Sequence, residues 1–287
     1  MRLYQPSLWD NVALENGYIL FSDLKLKEAI VQFNEALLSP IADRESTQAA
    51  VDACVYWQKM LNSAPELPAN GSPSEHYNQF VSEVLEAYME YPFDSRMTGF
   101  KKKLLENLAS IFQHKCVLDL NTFETIFDLL LNLKMSHNSE NLASHYVRQL
   151  PKEYFLLYFL AQAQWLNKNT TEACCNYARA LLYFPDRRLK NRIMHWQLEQ
   201  FVDAHGLEMA PVFGRLYEIL PEVPLNDGIQ PLNKLHQNAI RSYLLLQKLF
   251  KSRNNHDHKA NIQYRRQLKE QVPILFEAFM RRLKQWE

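Results

Sequence analysis

Apolar positions recur at helical spacing along nearly the whole chain. From about Lys25 to Leu38, the residues Ala29, Ile30, Phe33, Ala36 and Leu37 fall at the i, i+3, i+4, i+7 steps of one buried face, and Pro40 closes the run. A helix before it, over about 8–22, has Ser7 as its cap and Trp9, Val12, Leu14, Leu20 and Phe21 as apolar content. A third, over about 43–62, carries Ala49, Ala53, Trp57 and Leu61. Ser72, Pro73 and Glu75 then form a strong start for a helix that runs to about Glu90, ahead of Pro92. Three more helices are expected over about 95–114, 121–135 (capped by Asn121 with Glu124) and 139–150. Pro151 opens the next, Asn169 and Glu172 cap the one after, and Asp186 begins a helix ending near Gly206. A shorter helix covers about 208–220, a further one about 231–252, and a last helix from about 259 meets a break or kink at Pro273. The count is about 12 or 13 helices.

Composition agrees with an all-α class. The 287 residues contain only six glycines, too few for the turns of a sheet-rich fold, and 47% are apolar, enough to fill a core. Two proline-rich stretches, 63–73 and 221–231, read as linkers. They divide the chain into expected regions 1–62, 74–220 and 232–287.

Two stretches share one spacing. Gly17, Ala29, Phe33 and Ala36 are followed by Pro40, and Ala161, Ala173, Tyr177 and Ala180 by Pro185. Each has a 12-residue gap and then steps of four and three. Small residues at those places let two antiparallel helices approach closely, and the aromatic fills the groove one turn on. Ala143, Val147 and Leu150 before Pro151 form a weaker third copy. The pattern resembles the tetratricopeptide repeat, whose period is about 34 residues. That resemblance implies an irregular array of helical hairpins that binds other proteins and does no catalysis. The lysine and asparagine clamp with which some members grip an acidic tail has no counterpart on the first helices of these hairpins, which carry Leu14, Glu15 and Tyr18 or Phe155, Tyr158 and Gln162. A groove lined by Tyr18, Tyr158 and Gln162 suits an apolar or mixed peptide or helix instead.

Motifs for common chemistries are absent. There is no glycine-rich phosphate loop, no His-Glu-x-x-His and no paired Cys-x-x-Cys. His256-Asp257-His258 is the one cluster that catches the eye, with neighbouring asparagines that mark a polar loop, and it lacks a third metal ligand. No catalytic residue, metal or cofactor is expected. Cys54, Cys116, Cys174 and Cys175 show no disulfide framework and read as small buried residues with reduced thiols. No apolar run approaches the roughly 20 residues that span a bilayer, and no signal peptide is visible, so a cytoplasmic location without membrane contact is expected.

Charge adds a second surface. The chain is neutral, with 32 basic and 32 acidic residues, but 1–90 hold 5 Lys/Arg against 13 Asp/Glu, and 251–287 hold 9 against 4. Near the end, Arg265, Arg266 and Lys269, then Arg281, Arg282 and Lys284, alternate with Tyr264, Phe276, Phe279 and Trp286. Basic and aromatic side chains together can track a phosphate backbone. The same helix can instead dock through its apolar stripe, on a partner protein or a second copy. The expected function is therefore a protein-interaction scaffold, with a nucleic-acid adaptor and a structural subunit as alternatives.

Overall fold

The computed structural model describes residues 12–39, 43–65, 73–225 and 229–286. Among them are fourteen α-helices, two 3-10 turns and no strand. The expected cap Ser7, Trp9 and the stop Pro40 lie outside the described residues, as do 66–72, including Ser72, and 226–228 of the proline-rich stretches. The chain divides into two compact units, one ending at Met135 and the other starting at Ser136.

In the first unit α1 (Val12–Ser22) and α2 (Leu26–Leu37) form the tightest pair. Helix α3 (Arg44–Asn62) packs on α2. Helix α5 (Thr98–Lys115) packs on α1 and receives α4 (Glu75–Glu90) and α6 (Leu120–Asn132). The reason for the tight pair is Gly17. A Cβ built on it would stand 2.5 Å from Phe33 Cε1, so only a glycine admits the ring. Ala29 and Phe33 are wholly buried there, as the spacing predicted. Beside them Phe21 stacks on Phe100 at 4.1 Å, and Phe100 meets Trp57 of α3 at 5.6 Å. Asn78 of α4 ties the end of α5 by donating to the Val117 carbonyl at 2.7 Å and accepting from its N–H at 3.0 Å.

In the second unit α7 (Ser136–Gln149), α8 (Leu156–Leu166) and α9 (Thr170–Tyr183) stack in order. After a 3-10 turn at Arg187–Arg192 come α10 (Trp196–His205) and α11 (Ala210–Leu216). Helix α11 packs on α9 and on α12 (Lys234–Asn254), followed by α13 (His258–Gln271) and α14 (Pro273–Trp286). Ala161, Ala173, Tyr177 and Ala180 are all fully buried in the α8–α9 pair. The protein is an array of neighbouring helix pairs.

Helices α1, α6, α8 and α12 end in one way. Leu24, Lys134, Lys168 and His256 take positive φ of 62°, 60°, 67° and 55°. In each, the N–H of that residue bonds the carbonyl three back, and the next N–H bonds the carbonyl five back. This is the Schellman closure, built here without the glycine that usually occupies the left-handed position. Lys134 and Lys168 stand 34 residues apart (168 − 134). In α7, Ser139, Ala143 and Tyr146 are the buried steps of four and three, while Val147 and Leu150 are only half-buried.

Several boundaries also differ from expectation. Asp119, not Asn121, caps α6 by accepting from Thr122 N–H at 2.8 Å, and Ser74 caps α4 by accepting from His76 N–H at 3.2 Å. Asn169 sits at the cap position of α9, but its amide reaches Glu140 at 3.5 Å instead of the helix. The last helix breaks fully: α13 ends at Gln271 and Pro273 opens α14, where its missing N–H has no partner to lose.

All four cysteines are free thiols. Burial pushes Cys54 and Cys116 each up to about 12. Above the ordinary thiol range, near 9, an unfolded chain sheds these protons while the folded chain holds them. Their contribution is therefore intact below that range and is lost as pH rises toward about 12. Denaturation midpoints are expected to fall between about pH 8 and about pH 10.5, and to fall less in a Cys54→Ala, Cys116→Ala chain. Equal slopes in the two proteins would contradict this.

Candidate partner-docking site

The stretch Leu156–Gln164 of α8 is buried without interruption, because α7 and α9 cover it from both sides. A helix apolar all round has no solvent face to offer. This corrects the expectation for Tyr158 and Gln162. Tyr158 is wholly buried and donates its hydroxyl to the Phe184 carbonyl at 3.0 Å. Gln162 is buried too, and its carbonyl accepts from Arg192 at 3.3 Å while its amide lies 3.9 Å from Met194 Sδ.

These contacts belong to a polar network that shapes the chain beyond α9. Asp186 starts the 3-10 turn by accepting from Arg188 N–H at 2.9 Å. The Arg188 side chain bonds the same carboxylate and holds its pKa below the usual range. The buried Arg192 guanidinium lies over the Phe159 ring at 4.4 Å. Tyr177 then fixes the backbone: its hydroxyl donates to the Arg192 carbonyl at 2.7 Å and accepts from Met194 N–H at 3.1 Å. Burial raises the pKa of this phenol, which keeps the donating proton in place. These two bonds replace helical ones, so the single helix expected from Asp186 to Gly206 is split. An extended link through Ile193 and His195 separates its halves.

Exposed apolar side chains lie along and beside this link. The His195 ring packs against Trp165 at 4.8 Å, and desolvation lowers its pKa, which favours the neutral imidazole. On either side in sequence stand Met194, 39% exposed, and Trp196, 60% exposed. Leu166, beside Trp165, is 42% exposed. Large apolar side chains held on a fixed backbone are what a protein partner uses as anchors. Helical periodicity carried little sign of them, since a Trp read as one position of a regular helix has no stated direction.

The other predicted residues are placed separately. In the first unit Tyr18 is half-buried, its ring edge-on to Phe33 at 5.0 Å and covered by the Arg96 guanidinium at 5.1 Å. Of the basic set, Arg266, Lys269 and Arg281 are exposed, while Arg265 and Arg282 are half-buried. Arg265 lies 5.9 Å from the Phe279 ring and Lys269 6.0 Å from Phe276. Arg282 pairs with Glu218 at 3.7 Å. These side chains therefore have different neighbours.

No family model matches this chain, and neither does any curated protein or solved structure. The hairpin geometry thus stands on the coordinates alone. Among the described residues no group of three or more His, Cys, Asp or Glu side chains is arranged to hold a metal ion. No helix among them is long and apolar enough to cross a membrane. His256 and Asp257 form the α12–α13 turn, and Asp257 caps α13 by accepting from Ala260 N–H at 3.0 Å.

Proposed function

We propose that this protein is a non-enzymatic docking module of the tetratricopeptide-like kind, which binds an apolar, aromatic-containing peptide or helix of another protein. The observation that carries the reading is the exposed pair Met194 and Trp196, at and just after a backbone link that the buried Tyr177 hydroxyl pins at Arg192 and Met194. A fixed backbone lowers the ordering entropy of binding, so an exposed tryptophan there yields more affinity than one on a loose loop. Four free thiols favour a reducing compartment such as the cytoplasm.

The test is a comparative pull-down from cells that naturally make the protein, using the full chain and its Trp196→Ala and Met194→Ala forms. A partner retained by the parent is expected to drop at least about tenfold with Trp196→Ala, the size of a hot-spot loss, with thermal midpoint unchanged. An identical set of proteins on parent and variant would overturn the proposal. Recovery in fixed stoichiometry would identify the partner as part of a permanent assembly.

A further inference from the structure

His236 is only 1% exposed, and both of its ring nitrogens are bonded to backbone. Nδ1 meets the Leu232 N–H at 3.1 Å. An amide N–H can only donate, so Nδ1 must offer a lone pair and the ring proton sits on Nε2. Nε2 lies 2.8 Å from the Leu182 carbonyl, to which it donates. The neutral Nε2–H tautomer is therefore the one ring state that satisfies both bonds. Through it the first turn of α12 and the residues just before it are tied to the last turn of α9.

A second ring proton has no place in this arrangement. It would set an N–H on Nδ1 against the N–H of Leu232, two donors with no acceptor between them. The charge would also be buried at the third residue of α12, where the helix presents its positive end and no acidic residue stands in the first turn. Among the described residues no side chain bonds either ring nitrogen. The ionisable residues on the segments that meet here are otherwise engaged or cationic. On the α9 side, the Tyr183 hydroxyl donates to the Pro224 carbonyl at 3.4 Å, Asp186 bonds Arg188, and Arg179 is a cation. Glu222 pairs with Arg215 of α11 at 3.2 Å, while Lys234 and Arg241 of α12 are exposed cations. Val223, by contrast, is held on α12 by groups that acid leaves unchanged. Its N–H donates to the Tyr243 hydroxyl at 2.9 Å, and its carbonyl accepts from Gln247 at 3.1 Å.

We infer that His236 is an acid-sensitive latch, whose protonation frees the start of α12 from the end of α9 while the α8–α9 pair stays closed. The open state accepts a ring proton that the latched state excludes, so acid favours opening. The latch holds at neutral pH and weakens as pH falls through the range in which imidazole gains its proton. It stands whether or not Trp196 docks a protein.

The test is nuclear magnetic resonance on the full chain. Nitrogen-15 spectra of the histidine rings are expected to show His236 as the Nε2–H tautomer at neutral pH. Amide exchange, corrected for its intrinsic pH dependence, is then compared at about pH 7.5 and about pH 5. The amides of Leu232, His236 and Gln237, which bond the ring or Asn233, should lose at least about tenfold of their protection in acid, while those of Ala173 and Phe184 at the two ends of α9 keep theirs. His236→Asn keeps an acceptor toward Leu232 and His236→Gln keeps a donor toward Leu182, and neither side chain titrates. The acid-induced loss should vanish in both. A ring protonated on Nδ1 at neutral pH, protection that survives in the parent at low pH, an equal loss along α9, or the same acid response in the variants would overturn the inference.

Discussion

Tyr177→Ala is expected to lower the stability of the second unit by about 3–5 kcal/mol, the cost of emptying a large aromatic site in a packed core. The ring is wholly buried between α8 and α9, so no solvent refills the space without penalty. Two further losses arise, because the Arg192 carbonyl and the Met194 N–H both lose their partner. Tyr177→Phe separates the two effects. It keeps the ring and removes only the hydroxyl, and leaving buried groups unmatched costs about 1–3 kcal/mol. Its second consequence is local: without the pin, the link carrying Met194 and Trp196 should exchange amide hydrogens faster while α8 and α9 remain protected. Urea denaturation gives the first quantity and hydrogen exchange the second. Full stability and unchanged exchange in Tyr177→Phe would show that the hydroxyl does not hold the link.

The second large effect is expected at Gly17. In an exposed helix interior, glycine to alanine stabilises by about 1 kcal/mol. Here the added methyl would meet Phe33 Cε1 at 2.5 Å and Cδ1 at 2.6 Å. The ring cannot swing away, since Phe33 is fully buried and Tyr18 packs edge-on against it. Helices α1 and α2 must therefore move apart, and overpacking of this kind costs about 1–3 kcal/mol or more. Gly17→Ala should be destabilising despite its better helix propensity, and Gly17→Leu much more so. Shrinking the opposing side chain with Phe33→Leu should recover part of the loss, giving a coupling energy of about 1 kcal/mol or more in a double-mutant cycle. A stabilised Gly17→Ala would mean that the two helices do not touch there.

How much of this was legible in the sequence depends on the range of the interactions involved. The hairpins were legible because their signal is local: a small residue, an aromatic one turn on, and a second small residue fix one face of one helix. Their turns were not, since Leu24, Lys134, Lys168 and His256 adopt left-handed backbone without the glycine that would advertise it. The docking residues were hidden for a different reason. The link just before Trp196 is held by a hydroxyl on Tyr177, and the bond to Met194 spans 17 residues. No periodicity encodes such a bond. Tyr158 and Gln162 misled because a first helix flanked on one side exposes its far face, whereas α8 is flanked on both. Within the basic pairs, adjacent residues on a helix point about 100° apart, so Arg265 is half-buried while Arg266 stays in water.

The most direct measurement is photo-crosslinking in the native cell. A photoreactive residue placed at Trp196 is compared with one at Ile262, which is also exposed but lies on α13. The proposed function predicts a discrete protein adduct from position 196 and none from position 262. Adducts that are the same from both positions, or absent from both, would contradict it.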